Sequence, residues 1–209
     1  MLENARLYLI LDTQVNPYEE LWSIAVRAVG AGADIVQLRD KGGDVRAMLD
    51  FSRRVMRLVQ DRALFIVNDR LDVALAAGAS GVHLGQEDLP VAEARRLSEG
   101  MVIGCSCQEV EHVRRACEDG ADYIGFGSVF KTRTKPDREP MDLELLKAAA
   151  EHSRVPLFAI GGIRLDNVDA VQRAGVQRVA VCRDICQSED VEGRVAAFEE
   201  KLCARVVQW

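Results

Sequence analysis

Apolar residues gather along the chain in short runs separated by longer stretches of helical spacing. Four runs share a lead-in. Ala31-Gly32-Ala33-Asp34 opens into Ile35-Val36-Gln37-Leu38, and Ala77-Gly78-Ala79-Ser80 into Gly81-Val82-His83-Leu84. Gly120-Ala121-Asp122 opens into Tyr123-Ile124-Gly125-Phe126, and Ala174-Gly175-Val176-Gln177 into Arg178-Val179-Ala180-Val181. Each lead-in glycine follows a helix-like segment, where a left-handed residue is wanted and glycine supplies it without steric penalty. A second apolar run precedes each of the four, at 7–11, 64–67, 101–103 and 157–160. Being apolar on both faces, these four predict strands of a buried parallel sheet, which with the first four makes eight.

Helical spacing fills the gaps. Asn16-Pro17-Tyr18-Glu19-Glu20 predicts a helix start, with Asn16 as cap, Pro17 in the first position and acids favoured by the dipole. Leu21, Trp22, Ala25 and Val29 continue one face; Val45, Met48, Leu49, Val55, Met56 and Val59 mark another helix. Val191, Val195, Phe198, Leu202 and Val206 mark the last. Eight strands alternating with helices predict an α/β fold, a single-domain (βα)8 TIM barrel over residues 1–209. An open doubly wound sheet is the rival, but no G-x-G-x-x-G follows the first strand. One long polar loop, 131–141, carries two prolines, and long loops in compact domains are often functional.

The 209 residues suit one such domain. With 27 Lys+Arg against 33 Asp+Glu the net charge is −6, which argues against nucleic acid as a partner. No apolar run is long enough to span a bilayer, so no membrane partner is expected. The first residues lack a secretory pattern, and a cytoplasmic location is the expectation. Six cysteines without a C-x-x-C predict small, reduced, buried thiols rather than a zinc site built on Cys105, Cys107 and His112.

In this barrel, chemistry gathers where strands end and βα loops begin. Those positions hold Arg39, Asp40 and Lys41 after strand 2, and Asn68, Asp69 and Arg70 after strand 3. They hold Gln86, Glu87 and Asp88 after strand 4, Ser106 after strand 5, and Lys131-Thr132-Arg133-Thr134-Lys135 after strand 6. Gly161-Gly162 follows strand 7 and Arg183 follows strand 8. Glycines after strand 7 suit a phosphate held on backbone amides. Asp69 and Asp88 at neighbouring mouths suit Mg²⁺, which takes one or two carboxylates with phosphate oxygens. Asn68, Asp69 or Asp88 could equally cap the helices that follow. Arg39, Lys41, Arg133 and Lys135 converging on an acidic chain suggest an anionic ligand, against the alternative of solvated surface cations.

Together these segments resemble the thiamine-phosphate synthase family, from Leu7-Tyr8-Leu9 to about Ile185. The likeness rests on Val36-Gln37-Leu38-Arg39-Asp40-Lys41, Asn68-Asp69-Arg70, Gly81-Val82-His83-Leu84-Gly85-Gln86-Glu87-Asp88-Leu89-Pro90, Gly104-Cys105-Ser106, Thr132-Arg133-Thr134-Lys135 and Ala159-Ile160-Gly161-Gly162-Ile163. It implies a transferase that joins an aminopyrimidine diphosphate to a thiazole phosphate, giving thiamine phosphate and pyrophosphate. By the same resemblance Gln37, Arg39, Lys41 and Asn68 hold the pyrimidine diphosphate, Asp69 and Asp88 bind Mg²⁺, and Ser106 lies near the pyrimidine. Lys135 contacts the diphosphate; Thr132, Thr134, Gly162 and the Cys182-Arg183 backbone surround the thiazole phosphate. Arg39, Lys41 and Lys135 become the catalytic cations, because expelling pyrophosphate first needs leaving-group charge neutralised more than it needs a base.

Two positions depart from the family pattern: Arg183 stands where Ser is usual, and Gln108 where His is usual. Arg183 could add a bidentate phosphate contact. The rivals are a barrel that only isomerises the thiazole phosphate, a non-catalytic phosphate-ligand binder, and a Schiff-base aldolase using Lys41 or Lys135. The partners expected are small-molecule substrates. Whether the barrel works alone or as a homodimer is left open.

Overall fold

A computed structural model describes residues 1–133 and 139–203. Its strands are β1 (Leu7–Asp12), β2 (Ile35–Arg39), β3 (Leu64–Asn68), β4 (Gly81–Leu84), β5 (Val102–Cys107), β6 (Tyr123–Phe126), β7 (Leu157–Ile160) and β8 (Val179–Val181). They pair in parallel in sequence order, and β1 closes on β8 through Leu7↔Val179 and Leu9↔Val181. All eight expected runs contribute strands to this (βα)8 barrel, but β2, β3 and β5 run further than expected, so Arg39, Asn68 and Ser106 stand at the ends of strands rather than after them.

The helices are α1 (Tyr18–Gly30), α2 (Val45–Val59), α3 (Leu71–Ala77), α4 (Val91–Leu97), α5 (Val110–Glu118), α6 (Leu143–His152), α7 (Val168–Arg173), α8 (Arg183–Cys186) and α9 (Val191–Cys203). Asp44 caps α2 by accepting from the Arg46 N–H at 2.8 Å. The four lead-in glycines do take positive φ, between 65° at Gly78 and 108° at Gly32. The start of α1 corrects the sequence reading. Pro17 stands before the helix rather than in it, and the Asn16 side chain donates to Glu20 Oε2 at 2.9 Å instead of capping the backbone. The four-residue α8 was not anticipated, and Val206 lies outside the described residues.

The lower part of each strand is apolar on both faces because both are covered. Leu7, Leu9, Leu11, Val36, Leu38, Phe65 and Val67 belong to the large core shared with the helices, alongside Leu21, Ala25 and Phe51. The alternate residues Tyr8, Ile10, Ile35, Ile66, Tyr123, Phe158 and Ala180 form a second core inside the barrel. That period-two alternation positions the site. Two residues on from Ile35 stands Gln37 and then Arg39; two on from Ile66 stands Asn68; two on from Gly81 and Gly104 stand His83 and Ser106. The inward face turns polar as it climbs to the barrel mouth.

The cysteines are all free thiols, but only Cys105, Cys107 and Cys186 are buried as expected. Cys182 follows β8 at the mouth and Cys203 is exposed on α9. The parity of Cys182 with Ala180 turns it inward to the mouth instead of into the helix-facing core.

Candidate active site at the barrel mouth

A cavity of about 730 Å³ opens at the C-terminal ends of the strands. Gln37, Arg39, Asn68 and Ser106 line it from one side; Thr132, Gly162, Cys182 and Arg183 line it from the other. The sequence-predicted residues from six strand ends are thus brought together. Lys41, Asp69 and Asp88 form an adjoining cluster outside that lining. Thr134 and Lys135 lie outside the described residues.

The adjoining cluster is compact. Lys41 Nζ is 2.6 Å from Asp69 Oδ2. The Asp69 carboxylate neighbours that of Asp88, and the Asp69 backbone is left-handed with φ 63°. Burial first, then the Asp69 carboxylate, pushes the Asp88 carboxyl above its usual range, while the Gly85 N–H and Lys41 act the other way. Neither acid caps a helix. Arg70 and Pro90 hold the positions before α3 and α4, without side-chain caps, and Asp88 Oδ2 accepts from the Gly85 N–H at 2.7 Å. The capping alternative therefore fails for both, and for Asn68. Among the described residues no group of three or more His, Cys, Asp or Glu comes together to hold a metal. The donor set is two crowded carboxylates, which fits a hard cation completed by water and phosphate oxygens rather than a protein cage.

Arg39 is not a bare cation. Its guanidinium donates to Asp12 Oδ2 at 2.7 Å and to Gln14 Oε1 at 3.0 Å. Asp12 is fully buried, so the pair leaves Arg39 fixed at the cavity wall. Asp12 was missed because the first run was read as ending at Leu11. The sequence carries a cue: of the eight expected strand ends, Leu11 alone has no polar residue singled out after it, and Asp12 is next in the chain.

On the opposite side, Gly161 and Gly162 have φ of 103° and 63°. A Cβ at Gly161 would collide with the Ser128 hydroxyl, and one at Gly162 would lie 2.5 Å from the Lys131 carbonyl and 2.9 Å from Phe130 Cβ. Only glycine allows the β7 loop to lie this close to the β6 loop, where the Phe130 N–H also donates to the Gly161 carbonyl at 2.9 Å. Arg183 lines this side, and its Nε is buried without a hydrogen-bond partner among the described residues. Arg164, Asp184 and Arg194, none of them singled out from sequence, extend the same wall. Arg194 pairs with Asp184 at 3.6 Å and Arg164 with Asp166 at 3.0 Å.

Fold and cavity define a (βα)8 barrel with a neutral hydrogen-bonding floor, a cationic rim and an acidic pair beside it. The family model described as thiamine monophosphate synthase matches residues 7–185. The chain is 46% identical over 203 residues to the thiamine-phosphate synthase of Gloeobacter violaceus, covering 96% of this chain and 58% of that protein. It is 40% identical over 202 residues to the thiamine-phosphate synthase of Shouchella clausii, covering 93% of this chain and 97% of that protein. A solved thiamine phosphate pyrophosphorylase from Pyrococcus furiosus superposes with a TM-score of 0.87 at 35% identity, over 97% of this chain and 98% of that one. The chain belongs to the thiamine monophosphate synthase family. It spans little more than half the length of the Gloeobacter relative. Among the described residues no helix is long and apolar enough to cross a membrane.

Proposed function

We propose that the chain is a transferase that joins an aminopyrimidine diphosphate to a thiazole phosphate, yielding thiamine phosphate and pyrophosphate. The observation that carries the reading is the Lys41–Asp69–Asp88 cluster beside a cavity already lined by Gln37, Arg39, Asn68 and Ser106. In this reading the pyrimidine ring lies on Gln37, Asn68 and Ser106. Its diphosphate reaches over Arg39 to Lys41, with Lys135 from the β6 loop as a further contact. Asp69 and Asp88 would hold Mg²⁺, which when bound supplies positive charge to the leaving pyrophosphate. Lys41 then exchanges Asp69 for a phosphate oxygen.

The thiazole phosphate lies across the cavity, on the Gly162 backbone, Thr132, the Cys182-Arg183 backbone and the Arg183 guanidinium; Thr134, outside the described residues, is the further contact that the family resemblance implies. The bond from the pyrimidine methylene carbon to the diphosphate oxygen breaks first, and its electron pair leaves with pyrophosphate. The thiazole nitrogen lone pair then forms the new C–N bond. No proton changes hands, so Arg39, Lys41 and Lys135 neutralise charge and the cavity aligns the reactants. A barrel that only isomerised the thiazole would have no leaving diphosphate to neutralise, and so no use for the Lys41–Asp69–Asp88 cluster.

The test is to mix both substrates with and without Mg²⁺ and measure pyrophosphate and thiamine phosphate. Equimolar release of both, only with the metal, supports the reading. Absence of product, or formation indifferent to metal, contradicts it.

A further inference from the structure

Beneath the cavity floor a continuous chain of hydrogen bonds runs through the barrel. Gln37 Nε2 donates to Tyr8 Oη at 3.3 Å, and the Tyr8 and Tyr123 hydroxyls are 2.8 Å apart. The Tyr123 hydroxyl is 3.0 Å from His83 Nδ1, and His83 Nε2 is 2.9 Å from Ser106 Oγ. Gln37, His83 and Ser106 line the cavity, while the two tyrosines are buried.

The chain has a direction. An amide N–H can only donate, so Tyr8 accepts from Gln37 and turns its single O–H to Tyr123. Tyr123, already an acceptor, donates to Nδ1. In that direction His83 would carry its proton on Nε2 and give that hydrogen bond to Ser106 Oγ. The Ser106 hydroxyl hydrogen is left to point away from His83. With its nitrogen turned to Tyr8, the Gln37 amide offers its carbonyl Oε1 as an acceptor.

Room has been made for this chain. A Cβ at Gly104 would collide with the Tyr123 ring, and one at Gly125 would press on His83 Cε1 at 3.0 Å. Burial pushes both tyrosine hydroxyls above the ordinary phenol range, so each keeps the proton it passes on.

We propose that Tyr8 and Tyr123 are positioning residues that hold His83 in its Nε2–H form, so that Ser106 meets the substrate as a donor beside Gln37 as an acceptor. Resting on the pyrimidine reading above, this order matches an edge with a ring nitrogen beside an amino group. It opposes the oxo analogue, whose ring N–H and carbonyl reverse both partners. A floor built to hydrogen-bond one edge discriminates because the wrong edge leaves buried groups unpaired.

The test uses the full chain with Tyr123→Phe and, separately, Tyr8→Phe. Both variants keep the rings that pack on Phe158 at 5.7 and 5.5 Å. Nitrogen NMR of histidine-labelled protein reads the tautomer, with His83 assigned among three histidines by its loss in His83→Gln. The unaltered chain should show a bare Nδ1 and a protonated Nε2, and Tyr123→Phe should mix the two forms. The ratio of kcat/KM for amino over oxo pyrimidine diphosphate should fall about tenfold in both variants. The KM for thiazole phosphate should not move, which separates positioning from a general loosening of the fold. A proton on Nδ1 in the unaltered chain, or both variants keeping the original ratio, overturns the proposal. If the unaltered chain turns over neither pyrimidine, the transferase reading fails and the tautomer alone decides the relay.

Discussion

Lys41 holds its ammonium 2.6 Å from the carboxylate of Asp69, and Asp69 crowds Asp88. One cation thus partly neutralises two neighbouring acids, an arrangement suited to exchange when a divalent ion and a diphosphate arrive together. Asp69→Asn should fold, because asparagine tolerates the left-handed backbone at φ 63°. Its turnover, and that of Asp88→Asn, should fall at least about 100-fold at saturating substrate. A thermal melt alongside the assay checks that the loss is not unfolding.

Arg39 depends on Asp12 in a different way. Asp12 is fully buried and its only ion-pair partner among the described residues is Arg39. Asp12→Ala would leave a guanidinium walled in without its counter-charge. The expected cost is about 3–5 kcal/mol in urea unfolding. A loss below about 1 kcal/mol would mean that water or Gln14 already carries the charge.

The other side of the cavity is sensitive to backbone volume. Gly162→Ala meets both a positive φ and the Lys131 carbonyl, so the β7 loop must move. Stability should fall by about 1–3 kcal/mol, and the KM for thiazole phosphate should rise while that for the pyrimidine holds. Arg183→Ser should raise the same KM without touching stability, because the side chain forms no ion pair among the described residues. Steady-state kinetics with each substrate varied in turn checks both.

Far from the mouth, burial and then Asp34 push the half-buried Glu199 carboxyl on α9 up to about 7, with Arg6 acting in the opposite direction. A raised folded-state value means the neutral form suits the fold. That contribution is complete below the ordinary value of 4.5 and is lost as pH rises through about 7. Glu199→Gln should therefore be more stable than the natural chain at pH 8 and nearly equal to it at pH 4. Urea midpoints at those two pH values decide it.

Much of this architecture is legible before folding. Short, mainly apolar runs alternating with helical spacing predict strands covered inside and out, and Gly32, Gly78, Gly120 and Gly175 punctuate them. The mouth residues follow from reading strand ends. What escapes is set by closure and register. Asp12 meets Arg39 because β1 and β2 align those two residues, a fact no local pattern carries. Tyr8 and Tyr123 look like ordinary apolar strand residues, and only the closed barrel brings their hydroxyls together. The α8 turn is too short for helical periodicity to show, and the Asn16-Pro17 cap gives way to a side-chain bond with Glu20.

The most direct test of the central claim is pyrophosphate release by the natural chain and by Asp88→Asn across a Mg²⁺ titration. Release by the natural chain should saturate with metal, and the variant should reach it only at a far higher metal concentration or not at all. Identical titration curves for the two proteins would contradict it.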